Sequence, residues 1–145
     1  MSSIKKALVA IGDFESGVNL IKQLIDFFDD WVTEIHLLNV VDREANQHLA
    51  NFRGESIEET IEKRKIDSKD ILHKLSKTFS DTHLFITYSI EEGIIAESII
   101  EASVKEEVDF IAMGTKRERI AKRLLKNNIR FVIELASIPV LLYPV

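Results

Sequence analysis

The chain has 145 residues, 46% hydrophobic and 30% charged, with five Gly, two Pro and no Cys. This is one domain's worth of residues, with enough apolar content for a single core. It excludes a disordered tail, a collagen-like repeat, a disulfide-stapled mini-protein, thiolate catalysis and Cys-based metal centres.

The first predicted element is the apolar run Ala7–Ile11, which ends at Gly12 and reads as a strand buried on both faces. A helix follows over Val18–Trp31, with Leu20, Leu24, Phe27, Phe28 and Trp31 at helical spacing. Asp13, Glu15 and Ser16 stand where that helix begins, and suit its dipole and its cap without any chemistry. Ile35–Val41 is a second strand, and Asp42–Gly54 is polar and reads as irregular. Glu55–Phe79 is a long charged helix, and His83–Ser89 a third strand. Gly93 opens another helix, to about Glu107. Phe110–Met113 is a fourth strand ending at Gly114, Ile129 to Ala136 marks a last helix, and Pro139–Tyr143 is a fifth strand.

Strands separated by helices run parallel through crossover connections. The expected fold is therefore α/β, a five-stranded, mainly parallel sheet with helices on both faces, in one domain over residues 1–145. In such sheets ligands sit beyond the carboxyl ends of the strands, where the strand order reverses. Gly12 and Gly114 are placed for such a site, although both also serve as plain tight turns. No phosphate-loop or dinucleotide glycine signature is present. His36, His48, His73 and His83 show no metal-ligand spacing.

The net charge of −5 argues against general nucleic-acid binding, but it is unevenly spread. Residues 116–130 carry +6, from Lys116, Arg117, Arg119, Lys122, Arg123, Lys126 and Arg130 against Glu118, and the rest of the chain carries −11. This window is either a solvated loop or an anion contact. The apolar run after Lys5 and Lys6 is too short for a signal sequence, and no stretch approaches the roughly 20 apolar residues of a membrane span. The expectation is a cytoplasmic protein with no membrane partner.

Several segments resemble the universal stress protein family. Asp109-Phe110-Ile111-Ala112-Met113-Gly114-Thr115 is similar to its strand and turn "DLIVMG-S/T". Arg123-Leu124-Leu125, followed by Ser137-Ile138-Pro139-Val140-Leu141-Leu142, is similar to its closing stretch. Glu92-Gly93, Ala96 to Ala102 and Leu37 to Val41 match further elements, so the likeness covers nearly the whole chain. It implies an adenine-nucleotide alpha-hydrolase-like fold.

The resemblance also bears on the ligand. Nucleotide-binding members carry Gly-x-x-Gly, nine residues, then Gly-Ser/Thr, a loop whose backbone N–H groups cradle phosphates. Here Gly114 is kept, but the later positions are Arg117, Asn127 and Asn128. The family's adenine-contacting Asp is replaced by Gly12, with Asp13 one place later. The resemblance thus implies a non-enzymatic stress-response or regulatory factor that acts through protein association, without ATP or another cofactor.

Two alternatives stand beside this one. A nucleotide sensor for ATP or AMP would use Gly12, Asp13, Val41, Gly114, Thr115, Arg117, Asn127 and Asn128. A polyanion or RNA binder would use the 116–130 window. Val140–Tyr143 is apolar on both faces, and family members commonly pair this strand with a second copy, so a homodimer is expected, with a further, unidentified protein partner.

Overall fold

The computed structural model describes residues 5–116 and 127–145. Strand β1 (Lys6–Ala10) leads through α1 (Phe14–Phe28) and a 3-10 turn (Asp29–Trp31) into β2 (Glu34–Val41). Then come α2 (Arg43–Arg53), α3 (Ile57–Thr78), β3 (Phe85–Glu92), α4 (Ile95–Lys105) and β4 (Phe110–Thr115). Helix α5 (Asn127–Leu135) and strand β5 (Val140–Pro144) complete the described residues.

The sheet has the order β3-β2-β1-β4-β5, and every neighbouring pair is parallel. Strand side chains alternate between faces. Ala7, Val9 and Ile11, with Ile35, Leu37 and Ala112, point to the face covered by Leu20, Ile21 and Leu24 of α1 and Leu72 and Leu75 of α3. Leu8, Leu38, Ile111 and Met113 point the other way, onto Ala96, Ile99 and Ala102 of α4 and Ile129 and Val132 of α5. The continuous apolar runs of β1 and β4 follow from this burial on both sides.

The segment expected to be irregular, 42–54, is a helix. Its caps define it. Asp42 Oδ1 accepts from the N–H groups of Glu44 and Ala45, and Gly54 closes the far end in the left-handed conformation at φ 68°. Only Asn46 and Ala50 of α2 are buried, so no apolar stripe announced it. Other bounds moved as well. Helix α1 starts four residues before the apolar stripe because Asp13 caps it, its Oδ1 accepting from Ser16 N at 2.8 Å. Strand β3 runs on to Glu92 because it pairs with the whole of β2, ending at Val41↔Glu92.

The Asp that opens the fourth-strand motif has a structural task. Asp109 Oδ2 accepts from the backbone N–H groups of Lys5 and Lys6 at 2.8 and 2.9 Å, and Asp109 N donates to Lys6 O. It clamps the start of β1 to the start of β4.

The buried polar exception on β2 is His36. Its Nδ1 lies 2.7 Å from Thr87 Oγ1 and 3.2 Å from Glu106 Oε1, and its Nε2 lies 2.8 Å from Ser89 Oγ. Burial pushes the imidazole below its ordinary pKa, aided by Lys6 and Lys105 and opposed by Glu106 and Glu91. The unfolded chain takes up that proton near pH 6.5, at about the model-peptide value, before the folded chain does. Stability is therefore fully present above that pH and falls as pH drops toward the lower folded value. Urea unfolding at pH 7.5 and 5.5 is expected to show a larger acid loss for the wild type than for His36→Gln. Equal losses would refute this role.

Candidate functional site

The strand order reverses between β1 and β4. Helix α1 leaves β1 toward one face of the sheet, and α5, which follows β4, packs on the other. A crevice opens beyond the carboxyl ends of these two strands, where open α/β sheets hold their ligands. It consists of two adjoining cavities that share Ala10, Gly12, Gly114 and Ile129.

The smaller cavity, about 380 Å³, lies against the start of α1 and is bordered by Asp13, Glu15, Ser16, Asn19, Thr115 and Lys116. The helix dipole that would attract an anion here is already engaged by the Asp13 carboxylate. Val145 continues the β4–β5 ladder past the strand end, where its N–H donates to Thr115 O at 2.8 Å. A Cβ on Gly114 would come within 3.0 Å of Val145 Cγ2, so a side chain there would have to displace Val145. Gly12 is different: a Cβ there meets nothing within 4 Å. Gly12 leaves the floor open and is not required by crowding.

The larger cavity, about 490 Å³, spreads over the ends of β1 and β2 toward α2, α3 and α4. Val41, Ile95, Ile99, Met113 and Ile129 give it an apolar wall. Asn39 organises its polar side. Its Nδ2 donates to Ile11 O at 2.7 Å, and its Oδ1 accepts from Ser68 Oγ at 2.6 Å. The Asn39 amide thus ties the turn after β1 to α3. Asn46 Nδ2 donates to Asp42 O at 2.7 Å, and Arg64 borders the same space.

Of the residues expected at a nucleotide site, Gly12, Asp13, Val41, Gly114, Thr115 and Asn128 all border this crevice. Asn127 opens α5, is exposed, and borders neither cavity. Arg117 and most of the basic window, 117–126, lie outside the described residues. Asn39, Asn46, Arg64 and Ser68 were missed. Asn46, Arg64 and Ser68 lie in polar stretches where sequence spacing gives no sign of which side chain turns inward, and Asn39 interrupts the apolar run of β2 with no spacing that marks its partner.

Among the described residues, no group of three or more His, Asp or Glu side chains is placed to hold a metal ion. No helix there is long and apolar enough to cross a membrane. His36, Ser89 and Glu106 approach one another as a base, a hydroxyl and a carboxylate, but none of them borders either cavity. They form a polar cluster between β2, β3 and the end of α4.

A doubly wound parallel sheet with a crevice at its switch point defines a class of open α/β domain. Residues 3–144 match the model of the Universal stress protein family, and the chain belongs to that family. Among solved structures it is similar to the hypothetical protein MJ0577, at 25% identity and TM-score 0.79, covering 97% of this chain and 96% of that one. It is similar to the universal stress protein UspA from Lactobacillus plantarum, at 15% identity and TM-score 0.77, covering 98% and 99%. A universal stress protein from Archaeoglobus fulgidus, solved in complex with dAMP, aligns at 14% identity and TM-score 0.66 over 98% of each chain. No curated protein matches the sequence significantly.

Thr115 is 4% exposed, and its Oγ1 has no hydrogen-bond partner among the described residues. An unpartnered buried hydroxyl costs about 1–3 kcal/mol, and Val has nearly the same shape. Thr115→Val is expected to leave the urea midpoint unchanged or raise it. A loss of more than about 1 kcal/mol would mean that the hydroxyl has a partner.

Proposed function

We propose that this is a non-enzymatic, dimeric regulatory protein of the cytoplasm whose crevice takes a nucleoside monophosphate and not ATP. The observation that carries this reading is the contrast between the two cavities. The larger has the apolar wall and the few polar groups that suit a base and sugar, and its volume lies in the range of small-ligand pockets. The smaller, toward the turn after β4, holds Asp13 and Glu15 against Lys116. The family's glycine positions beyond Gly114 are occupied by Arg117 and Asn127. Among the described residues, a triphosphate reaching the smaller cavity would meet the carboxylates of Asp13 and Glu15 as well as Lys116. The A. fulgidus relative solved with dAMP is a precedent for a single phosphate.

The non-enzymatic part of the reading rests on the carboxylates. Of the three acids bordering the crevice among the described residues, Asp13 and Asp42 each hold a helix N-terminus through Oδ1, which favours a capping role over that of a general base. Calorimetric titration of the whole chain tests the ligand. AMP is expected to bind at least tenfold more tightly than ATP, with and without Mg²⁺. Tighter binding of ATP would overturn the reading, as would heat from neither nucleotide.

The dimer rests on β5. It is the edge strand of the sheet beyond β4, and Val140 to Tyr143 are only half-buried. An exposed apolar edge is an aggregation hazard, and a second copy paired about a two-fold axis would cover it. Sedimentation equilibrium at micromolar concentration is expected to return twice the chain mass. A monomer would refute the pairing.

A further inference from the structure

We propose that Ser89 is an acyl-acceptor site: its hydroxyl, activated by His36 and oriented through Glu106, takes the acyl group of a small activated ester. The modification is stoichiometric, lies outside the crevice and does not depend on what the crevice binds.

The parts come from three elements. His36 of β2 is 5% exposed, and its Nε2 lies 2.8 Å from Ser89 Oγ of β3. Its Nδ1 lies 3.2 Å from Glu106 Oε1, at the end of α4, and 2.7 Å from Thr87 Oγ1. A carboxylate only accepts, so the ring proton sits on Nδ1, shared between Glu106 and Thr87. Nε2 is then bare, and the Ser89 hydroxyl donates to it. This is the order of a nucleophile, its base and the group that orients the base. Burial lowers the pKa of the ring, which favours the neutral, proton-accepting form at neutral pH.

Ser89 stands on an open part of the sheet. It shares a face with Leu38, but α4 lies over β2 and β1, and β3 is the edge strand. Ser89 is half-buried, and Phe85, on the same face of β3, is 64% exposed. The edge also supplies a donor. Phe85 N and Gly93 N donate to Thr33 O and Val41 O, on the β2 side. On the two-residue period of the strand, the N–H of Ile90 points away from β2, next to Ser89. A backbone N–H directly after a nucleophile is suited to the charge that develops on the acyl oxygen under attack.

In the step, Ser89 Oγ bonds to the acyl carbon and its proton passes to His36 Nε2. The bond to the leaving alkoxide breaks, and that oxygen takes the proton from Nε2. Nothing is oxidised or reduced. Ser89 borders neither cavity of the crevice, which suits a small acyl group. The burial of His36 keeps water from the base, so the new ester persists.

The test is incubation of the full chain with p-nitrophenyl acetate. Absorbance follows release of p-nitrophenolate, and mass spectrometry locates the acetyl group. Expected is one acetyl group per chain, on Ser89, formed at least tenfold more slowly in His36→Gln and absent from Ser89→Ala. The wild-type rate is expected to rise with pH to a plateau, with its midpoint below about pH 6.5. Besides Glu106, the charged groups acting on the ring are Lys6 of β1, Glu91 of β3 and Lys105 of α4. Glu106→Gln removes a carboxylate that raises the ring's pKa, and is expected to move the midpoint lower. The site and the pH profile are read on the wild type, so they stand even where a variant does not fold. Acetyl groups confined to lysines, a wild-type midpoint above that value, or undiminished labelling of Ser89 in His36→Gln each overturn the proposal. Turnover beyond one equivalent that disappears in Ser89→Ala keeps the nucleophile but overturns its stoichiometric character, and with it the non-enzymatic reading.

Discussion

The parallel pairing of β1 with β4, Ala7↔Phe110 to Val9↔Ala112, is the constraint on which the rest of the molecule depends. It puts β2 and β3 on one side of β1, and β4 and β5 on the other. Crossovers of one hand then send α1 and α3 to one face of the sheet and α4 and α5 to the other. The chain leaving β1 and the chain leaving β4 part company, and the gap between them is the crevice. At the opposite end, the Asp109 carboxylate holds the two strands together through the N–H groups of Lys5 and Lys6. One end of the β1–β4 pair is thus locked by hydrogen bonds, and the other is left open for a ligand.

The chemistry of the crevice is set by which polar groups the fold has already used. Asp13 and Asp42 begin helices, and their oxygens accept the otherwise unpaired N–H groups of the first turns. Asn39 bridges the turn after β1 to Ser68 on α3. These hydrogen bonds tie the walls of the crevice together. Among the described residues, Asp13, Glu15 and Lys116 border the smaller cavity, and Asp42 and Arg64 border the larger. Family membership alone would place phosphates at the glycine turn after β4. In this chain Arg117 and Asn127 stand where two glycines of that pattern would be.

The legible parts of the fold were the strands and the long helices. Ala7–Ile11 and Phe110–Met113 are uninterrupted apolar runs bounded by glycines, because both faces of the central strands are buried. Helix α2 was not legible. It buries Asn46 and Ala50, and its caps, Asp42 and Gly54, are residues equally at home in a loop. The candidate site was legible where a family motif marked it, at Gly12, Asp13, Val41, Gly114, Thr115 and Asn128. It was not legible at Asn39, Arg64 and Ser68. Two of these lie in a helix rich in charged residues, where only packing decides which side chain faces inward.

The sequence by itself determined the class of the fold, the family, the absence of cysteine chemistry and the erosion of the phosphate-binding glycines. Each of these is a property of local pattern, readable one segment at a time. Only the tertiary structure decided the strand order, the edge position of β5, the buried contacts of His36 and the place of Arg64 beside the larger cavity. These depend on which distant segments meet: His36 with Glu106, Asn39 with Ser68, Arg43 with Glu92. Local pattern carries no record of those meetings, because the energy that selects them arises only when the two faces of the sheet are covered together.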